Sequence, residues 1–280
     1  PWYIPVPWNA EFEQKWFCVA KYEMTYESGS WTPDTTWDSS AWNTYAYTGT
    51  MYISPKIDFP VTDLTQAEAI AACADIGSTY HLITENEWAT LARNIEEVED
   101  NWSNWLVWDW YIFNWNSNDW TNWCTDIWST WRTKATITWG SDKNGLSYIR
   151  TTCDEKRQLL LTSWEIIWDL AWNVAEHVNK ANTIDGTLYN SWQTVAWCTT
   201  PTWYVDWTDW CTNFVPSSWN TWNSTYWIWK INYSAGVANN VFIRSWMRWD
   251  ADNAWLYNLN LQRDATYKHS WLGFRCVKYY

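Results

Sequence analysis

The stretch Tyr80-His-Leu-Ile-Thr-Glu-Asn-Glu-Trp88 contains the most explicit start signal in the chain. Thr84 followed three residues later by Glu87 makes a capping box, in which each side chain satisfies a backbone N–H of the other. A helix is therefore predicted in Thr84-Glu-Asn-Glu-Trp-Ala-Thr-Leu-Ala-Arg-Asn94. The same design occurs just upstream, in Asp63-Leu-Thr-Gln-Ala-Glu-Ala-Ile-Ala-Ala-Cys-Ala-Asp-Ile-Gly77, with Thr65 as cap, Glu68 as its partner and Gly77 as the stop. Before these helices, residues 17–26 alternate in strand fashion. Elsewhere regular structure is sparse. Residues 27–50 read as Ser/Thr-rich loop, 100–150 as turns with short strands at best, 180–235 as loop, and 241–278 as short strands joined by polar loops. No linker or composition break divides the chain, so residues 1–280 read as one α+β domain with few helices, short strands and many long loops.

Glycine is scarce and tryptophan abundant: 8 against 33. About 20 Gly would be usual for this length. Eight indoles follow Asn or Asp, at Asn101-Trp102, Asn104-Trp105, Asn114-Trp115, Asn122-Trp123, Asp109-Trp110, Asp119-Trp120, Asp206-Trp207 and Asp209-Trp210. Asn-Gly and Asp-Gly are the usual tight-turn pairs, because glycine takes positive φ without a Cβ penalty. Most of these Trp are accordingly expected to stand where the native protein has Gly, as a UGA codon reassigned to glycine would produce. The alternative is a protein truly rich in tryptophan.

The formal net charge is −13, from 31 acidic and 18 basic residues. That balance argues against nucleic acid as a partner. Neither a basic amphipathic helix nor an apolar run of transmembrane length is present, so direct membrane insertion is not expected. The seven Cys contain no CxxC pair, which disfavours zinc and suits disulfides in an exported protein. A secreted or cell-surface location is expected, with Pro1 as the start of a mature or trimmed form.

Four stretches together resemble the formylglycine-generating-enzyme-like (sulfatase-modifying factor) family, a branch of the C-type-lectin-like fold. Pro5-Val-Pro-Trp-Asn-Ala-Glu-Phe and Phe17-Cys-Val-Ala-Lys-Tyr-Glu-Met-Thr look like its first strand region. Tyr80–Trp88 is similar to its "R-L-P-T-E-A-E-W" helix start, and Ile167-Trp-Asp-Leu-Ala-Trp-Asn-Val-Ala-Glu-His177 to "V-W-D-M-A-G-N-V-W-E-W". Leu272-Gly-Phe-Arg-Cys-Val277 is similar to the terminal "G-F-R-C". Against this pattern Trp88 and Trp168 fall at Trp positions, as do Trp249 and Trp271, whereas Trp172, Trp246 and Trp255 fall at Gly positions.

The resemblance implies several features. Cys276 and Cys73 would form a structural disulfide; Cys124–Cys153 and Cys198–Cys211 are further candidate pairs, with Cys18 left over. The oxygen-dependent enzymes of the family hold copper with two thiolates near the chain end, as a soft metal requires. Residues 244–274 contain no Cys. The iron-dependent sulfoxide synthases need a histidine set from an extra helical domain, and only His81, His177 and His269 occur here. No Ser-His-Asp, P-loop or dinucleotide pattern appears. A non-enzymatic protein is therefore expected. Calcium is a possible structural cofactor, implied at Asp169, the carbonyls of Trp172 and Val174, and Glu176, since oxygen-only loop ligands suit that ion. The competing reading has Asp169 and Glu176 simply hydrogen-bonding the turn.

Residues 242–276 are similar to the variable region of receptor proteins diversified by retroelements. Arg248, Trp249, Asp250, Asp252, Tyr257, Asn258, Asn260, Gln262, Arg263, Asp264, Tyr267, Lys268 and His269 lie between the frame residues and are the candidate ligand-binding set. Tyr and Trp supply contact area at low rotamer cost, while Asn, Asp, Arg and His supply directed hydrogen bonds. The expected partner is a protein or glycan on another cell or virus. The alternatives are a copper-dependent oxidase, or a tip or decorating subunit of a surface appendage.

Overall fold

The computed structural model describes residues 2–9, 12, 14–26, 45–46, 53–55, 60–102, 106–107, 112, 158–170, 174–181, 231–233, 241–245, 256 and 259–279. Its elements in chain order are β1 (Tyr3–Val6), β2 (Phe17–Ala20), β3 (Thr25–Tyr26), β4 (Tyr45–Ala46), β5 (Ile53–Ser54), β6 (Val61–Thr62), α1 (Gln66–Ile76), β7 (Tyr80–Leu82) and α2 (Glu85–Glu96). After a 3₁₀ turn at Glu99–Asn101 come β8 (Gln158–Leu160), β9 (Ile166–Trp168), β10 (Ala175–Ala181), β11 (Ile231–Tyr233), β12 (Val241–Arg244), β13 (Leu259–Leu261), β14 (Leu272–Phe274) and β15 (Cys276–Lys278). The class is mixed α+β, as expected.

Both helices start where the capping boxes place them. Thr65 Oγ1 accepts from the Glu68 amide at 3.3 Å while the Thr65 amide donates to Glu68 Oε2 at 2.7 Å. At α2 the equivalent distances are 3.3 Å and 2.8 Å. The strand-like run at 17–26 is interrupted. It leaves the sheet after Ala20, where the Lys21 amide donates to the Trp2 carbonyl, and resumes only at Thr25. The break turns Glu23 inward.

Two sheets carry the core. The first has the order β1-β2-β15-β7, so the last strand lies between the N-terminal hairpin and the strand that leads into α2. The second has the order β11-β13-β12-β10-β14, with β14 parallel to β10 at one edge. The chain passes from β14 to β15, and thus from one sheet to the other, through the single residue Arg275. Beside it Cys276 is bonded to Cys73 of α1 with Cα atoms 5.5 Å apart, the expected pair. This bond spans 203 residues, and in the chain-entropy account closing so long a loop is worth about 5 kcal/mol. Cys124, Cys153, Cys198 and Cys211 lie outside the described residues.

The indoles divide into two groups. Trp88 and Trp102 are fully buried, and their ring N–H groups donate to the carbonyls of Leu256 (2.9 Å) and Glu96 (2.8 Å). Trp168 and Trp271 are also buried. The expectation that Asn101-Trp102 marks a glycine turn therefore does not hold. Asn101 is itself buried, its side chain bonding the backbone of Ile95 and Leu160. Trp2, Trp8, Trp16 and Trp164, by contrast, are each more than half exposed.

Trp164 combines 74% exposure with a φ of 66°. It ends the hairpin loop between β8 and β9, donating its amide to the Leu161 carbonyl, with the Leu161 amide bonded to Glu165. That left-handed position in a short hairpin loop is ordinarily glycine. A Cβ there costs about 1–2 kcal/mol, and the indole regains little by burial. Trp164→Gly is expected to raise stability by about 1 kcal/mol, measured by urea denaturation. A loss instead would show that the ring packs productively.

Candidate functional site

Two neighbouring features invite a functional reading: a buried charged cluster and the segment that leads into it. Arg275 is fully buried. Its Nε donates to Glu176 Oε1 at 2.7 Å, Nη1 to the Ala20 carbonyl at 3.2 Å, and Nη2 to the Trp168 carbonyl at 2.6 Å. Glu23, Asp169 and Glu176 are all buried around it. Glu23 Oε1 accepts from the Val174 amide at 3.2 Å, and Asp169 takes a left-handed φ of 55°. Of the three carboxylates Glu176 bonds Arg275, and its Oε2 has no hydrogen-bond partner.

Burial raises the carboxyls of Glu23 and Glu176, and Arg275 opposes the rise in both. Glu176 is brought to about 7 and Glu23 is held well above the ordinary range, with Asp169 and Glu176 adding repulsion at Glu23. Desolvation and mutual repulsion therefore favour retention of a proton by Glu23 and Glu176. The proton belongs to the pair, with Glu23 the better holder because Arg275 donates to Glu176. Next along β10, His177 is buried, bonds the Leu64 carbonyl through Nε2 at 2.9 Å, and is lowered by desolvation to about 4.

Of the implied calcium set, Asp169, Val174 and Glu176 are brought to this cluster, and Trp172 lies outside the described residues. Among the described residues no group of three His, Cys, Asp or Glu side chains stands in a metal-holding arrangement. Sequence reasoning missed Glu23 and Arg275. The available signal was a lone arginine between Phe274 and Cys276, in an otherwise apolar strand run.

The candidate ligand-binding segment lies between β12 and β14 and includes β13. Arg248, Trp249, Asp250, Asp252, Tyr257 and Asn258 lie outside the described residues, as do Trp246 and Trp255. Asn260 is buried on β13, opposite Ile243 of β12, and its side-chain oxygen accepts from the Gln262 amide at 2.8 Å. It supports the loop and does not face solvent. Gln262, Arg263, Tyr267 and His269 are half-buried, while Asp264 and Lys268 are exposed.

Backbone contacts hold this loop at both ends. The Val241 amide donates to the Arg263 carbonyl (3.0 Å), the Asp63 amide to the His269 carbonyl (3.0 Å), and the Ala175 amide to the Trp271 carbonyl (2.9 Å). Within it, Asp264 Oδ1 accepts from the Thr266 amide at 2.8 Å and hydroxyl at 2.6 Å, which lowers the Asp264 carboxyl. Beyond it, a Cβ on Gly273 would meet Val174 Cγ2 at 2.6 Å, so only glycine lets β14 lie against the turn before β10. The loop is therefore a fixed display of polar and aromatic side chains.

Among the described residues no helix is long and apolar enough to cross a membrane. Comparison of the sequence with models of known protein families and with curated proteins gives no match.

The pH response of the cluster follows from these shifts. Glu23 and Glu176 are raised in the fold, so their stabilising contribution is complete below pH 4.5 and is lost as pH rises, for Glu176 through about 7. His177 is depressed, so its contribution is complete above pH 6.5 and is lost as pH falls through about 4. In buffer with a chelator, Glu23→Gln keeps an acceptor for the Val174 amide and removes the ionisable group. It is expected to raise stability at pH 8 by at least about 1 kcal/mol relative to its effect at pH 5. Thermal melts across that range measure it, and an unchanged profile would show that Glu23 is not raised in the fold.

Proposed function

We propose that this chain is a secreted or surface-displayed, non-enzymatic ligand-binding protein. In this reading its scaffold is C-type-lectin-like, of the formylglycine-generating-enzyme-like kind, and its diversified C-terminal segment recognises a protein or glycan on another cell or virus. The observation that carries the proposal is the loop at 262–270. Its polar and aromatic side chains are accessible, while its backbone is tied to β12, to β10 and to Asp63. A loop already ordered loses little conformational entropy when a partner docks. The Cys73–Cys276 bond supports an oxidising compartment. A net charge of −13 speaks against nucleic acid. The absence of any Cys from residues 244–274 removes the thiolate pair that copper chemistry of the resembled family requires.

The proposal includes glycine at the exposed turn indoles, for which Trp164 is the best-supported position. It also includes structural calcium, with Asp169, Glu176 and the carbonyls of Trp172 and Val174 as ligands. The buried Glu176 Oε2, which has no hydrogen-bond partner, is the feature that supports a bound cation. Such an ion would neutralise the cluster and pin the turn before β10.

Sequencing the 3′ coding segment in independent isolates tests the central claim. Substitutions should concentrate in codons 248–269, with a near-repeat of the segment beside a reverse-transcriptase gene. A segment as invariant as the helices would overturn diversification, and a tight Cu(I) site in titration would overturn the non-enzymatic reading. Melts at pH 7.5 should show stabilisation by calcium over chelator by several degrees, about 1–3 kcal/mol. Identical melts would remove calcium from the proposal.

A further inference from the structure

Arg263 and Lys268 form no ion pair among the described residues, in a chain of strongly acidic composition. Among the described residues the ion-paired bases are His81, Arg93, Arg244 and Arg275, and neither of these two loop cations takes part. The guanidinium carbon of Arg263 sits 4.4 Å from the centroid of the Tyr267 ring, and its Nε is buried without a hydrogen-bond partner. The stack continues inward. Tyr267 lies 6.2 Å from His269 and 5.7 Å from Trp271, and His269 lies 5.1 Å from Trp271. Trp271 is buried at its root.

This ladder uses the face of the guanidinium and buries its Nε, which leaves the terminal edge formed by Nη1 and Nη2 for a ligand. A stacked arginine is already oriented, so it loses little freedom on binding, and its planar fork matches a carboxylate. Two carboxylates lie near. Asp264 is engaged by Thr266, and Asp63 acts on His269. Neither forms an ion pair with Arg263.

Resting on the recognition-face reading above, we propose that this stack is the docking point for a uronate unit of an acidic polysaccharide. The sugar carboxylate meets the Arg263 fork, the ring rests on the half-exposed Tyr267–His269 edge, and Lys268 meets the carboxylate of the adjoining unit. The surroundings favour a glycan over an acidic protein. Leu256, Leu259, Trp271 and Leu272 are all buried, so among the described residues these apolar side chains are withdrawn from a protein partner. A stable protein interface needs a broader area, of about 800 Å² per partner.

Calorimetric titration of the full chain with tetragalacturonate tests this, with cellotetraose and tetraglutamate as comparisons. Tetragalacturonate should bind, and cellotetraose should bind at least about tenfold more weakly. Arg263→Met and Tyr267→Ala should each weaken binding about tenfold, and Arg263→Lys, which keeps the charge but loses the fork, should fall between. Melting temperatures close to that of the unaltered chain would confirm folded variants. No binding of tetragalacturonate, or tetraglutamate binding as tightly, overturns the uronate assignment and leaves the recognition face standing. Binding that both variants leave intact overturns the assignment of this face as well.

Discussion

The fold depends on one buried guanidinium. Arg275 stands where the chain leaves one sheet for the other, and its donors reach β2, β9 and β10. A charge taken out of water is costly, and a buried pair is repaid only when its hydrogen bonds are nearly complete. Here the Glu176 carboxylate and two carbonyls supply them. Removing one partner of such a pair costs about 3–5 kcal/mol, because the other charge is left uncompensated. The residues beside it add constraints of other kinds. Gly273 fits where no Cβ would, Phe274 fills the core, and Cys276 is tied to α1. Steric fit, apolar burial, charge and a covalent bond thus act within four consecutive residues.

That clasp also explains why the preceding loop is a suitable platform. Its C-terminal end enters β14 directly, and the Trp271 and His269 carbonyls are bonded by Ala175 and Asp63. Side chains at 263–269 can change without disturbing these contacts, since the anchors are main-chain groups. Variation and rigidity are compatible there because different atoms carry them. The same separation does not hold at Asn260, whose side chain supports the Gln262 amide. A frame residue can therefore be polar, and polarity alone does not identify a contact residue.

What the sequence revealed was mostly what is local. Both helix starts were legible because a capping box is complete within four residues. The Cys73–Cys276 bond was legible through the resemblance, and no local pattern indicated it. The charged cluster was hidden because its partners lie far apart in the chain: Glu176 and Arg275 are separated by 99 residues, Glu23 and Val174 by 151. For the same reason residues 17–26 read as one strand, although the demand for Glu23 in the interior breaks it after Ala20. Dipeptide reasoning also placed Trp102 among the turn indoles. Its burial depends on its own bond to α2 and on the bond of Asn101 to β8, which a two-residue pattern cannot carry.

The exposed indoles bear on recognition as well as on stability. Trp2, Trp8, Trp16 and Trp164 each present more than half of a large apolar ring to solvent. Rings of that kind make an adhesive surface that does not discriminate among partners, because burying apolar area is favourable whatever covers it. A receptor whose specificity rests on a few directed side chains gains from keeping the remaining surface inert. Glycine at a position such as 164 serves both needs at once. It relieves the left-handed backbone, and under the proposed recognition role it would confine aromatic contact to the 262–270 loop.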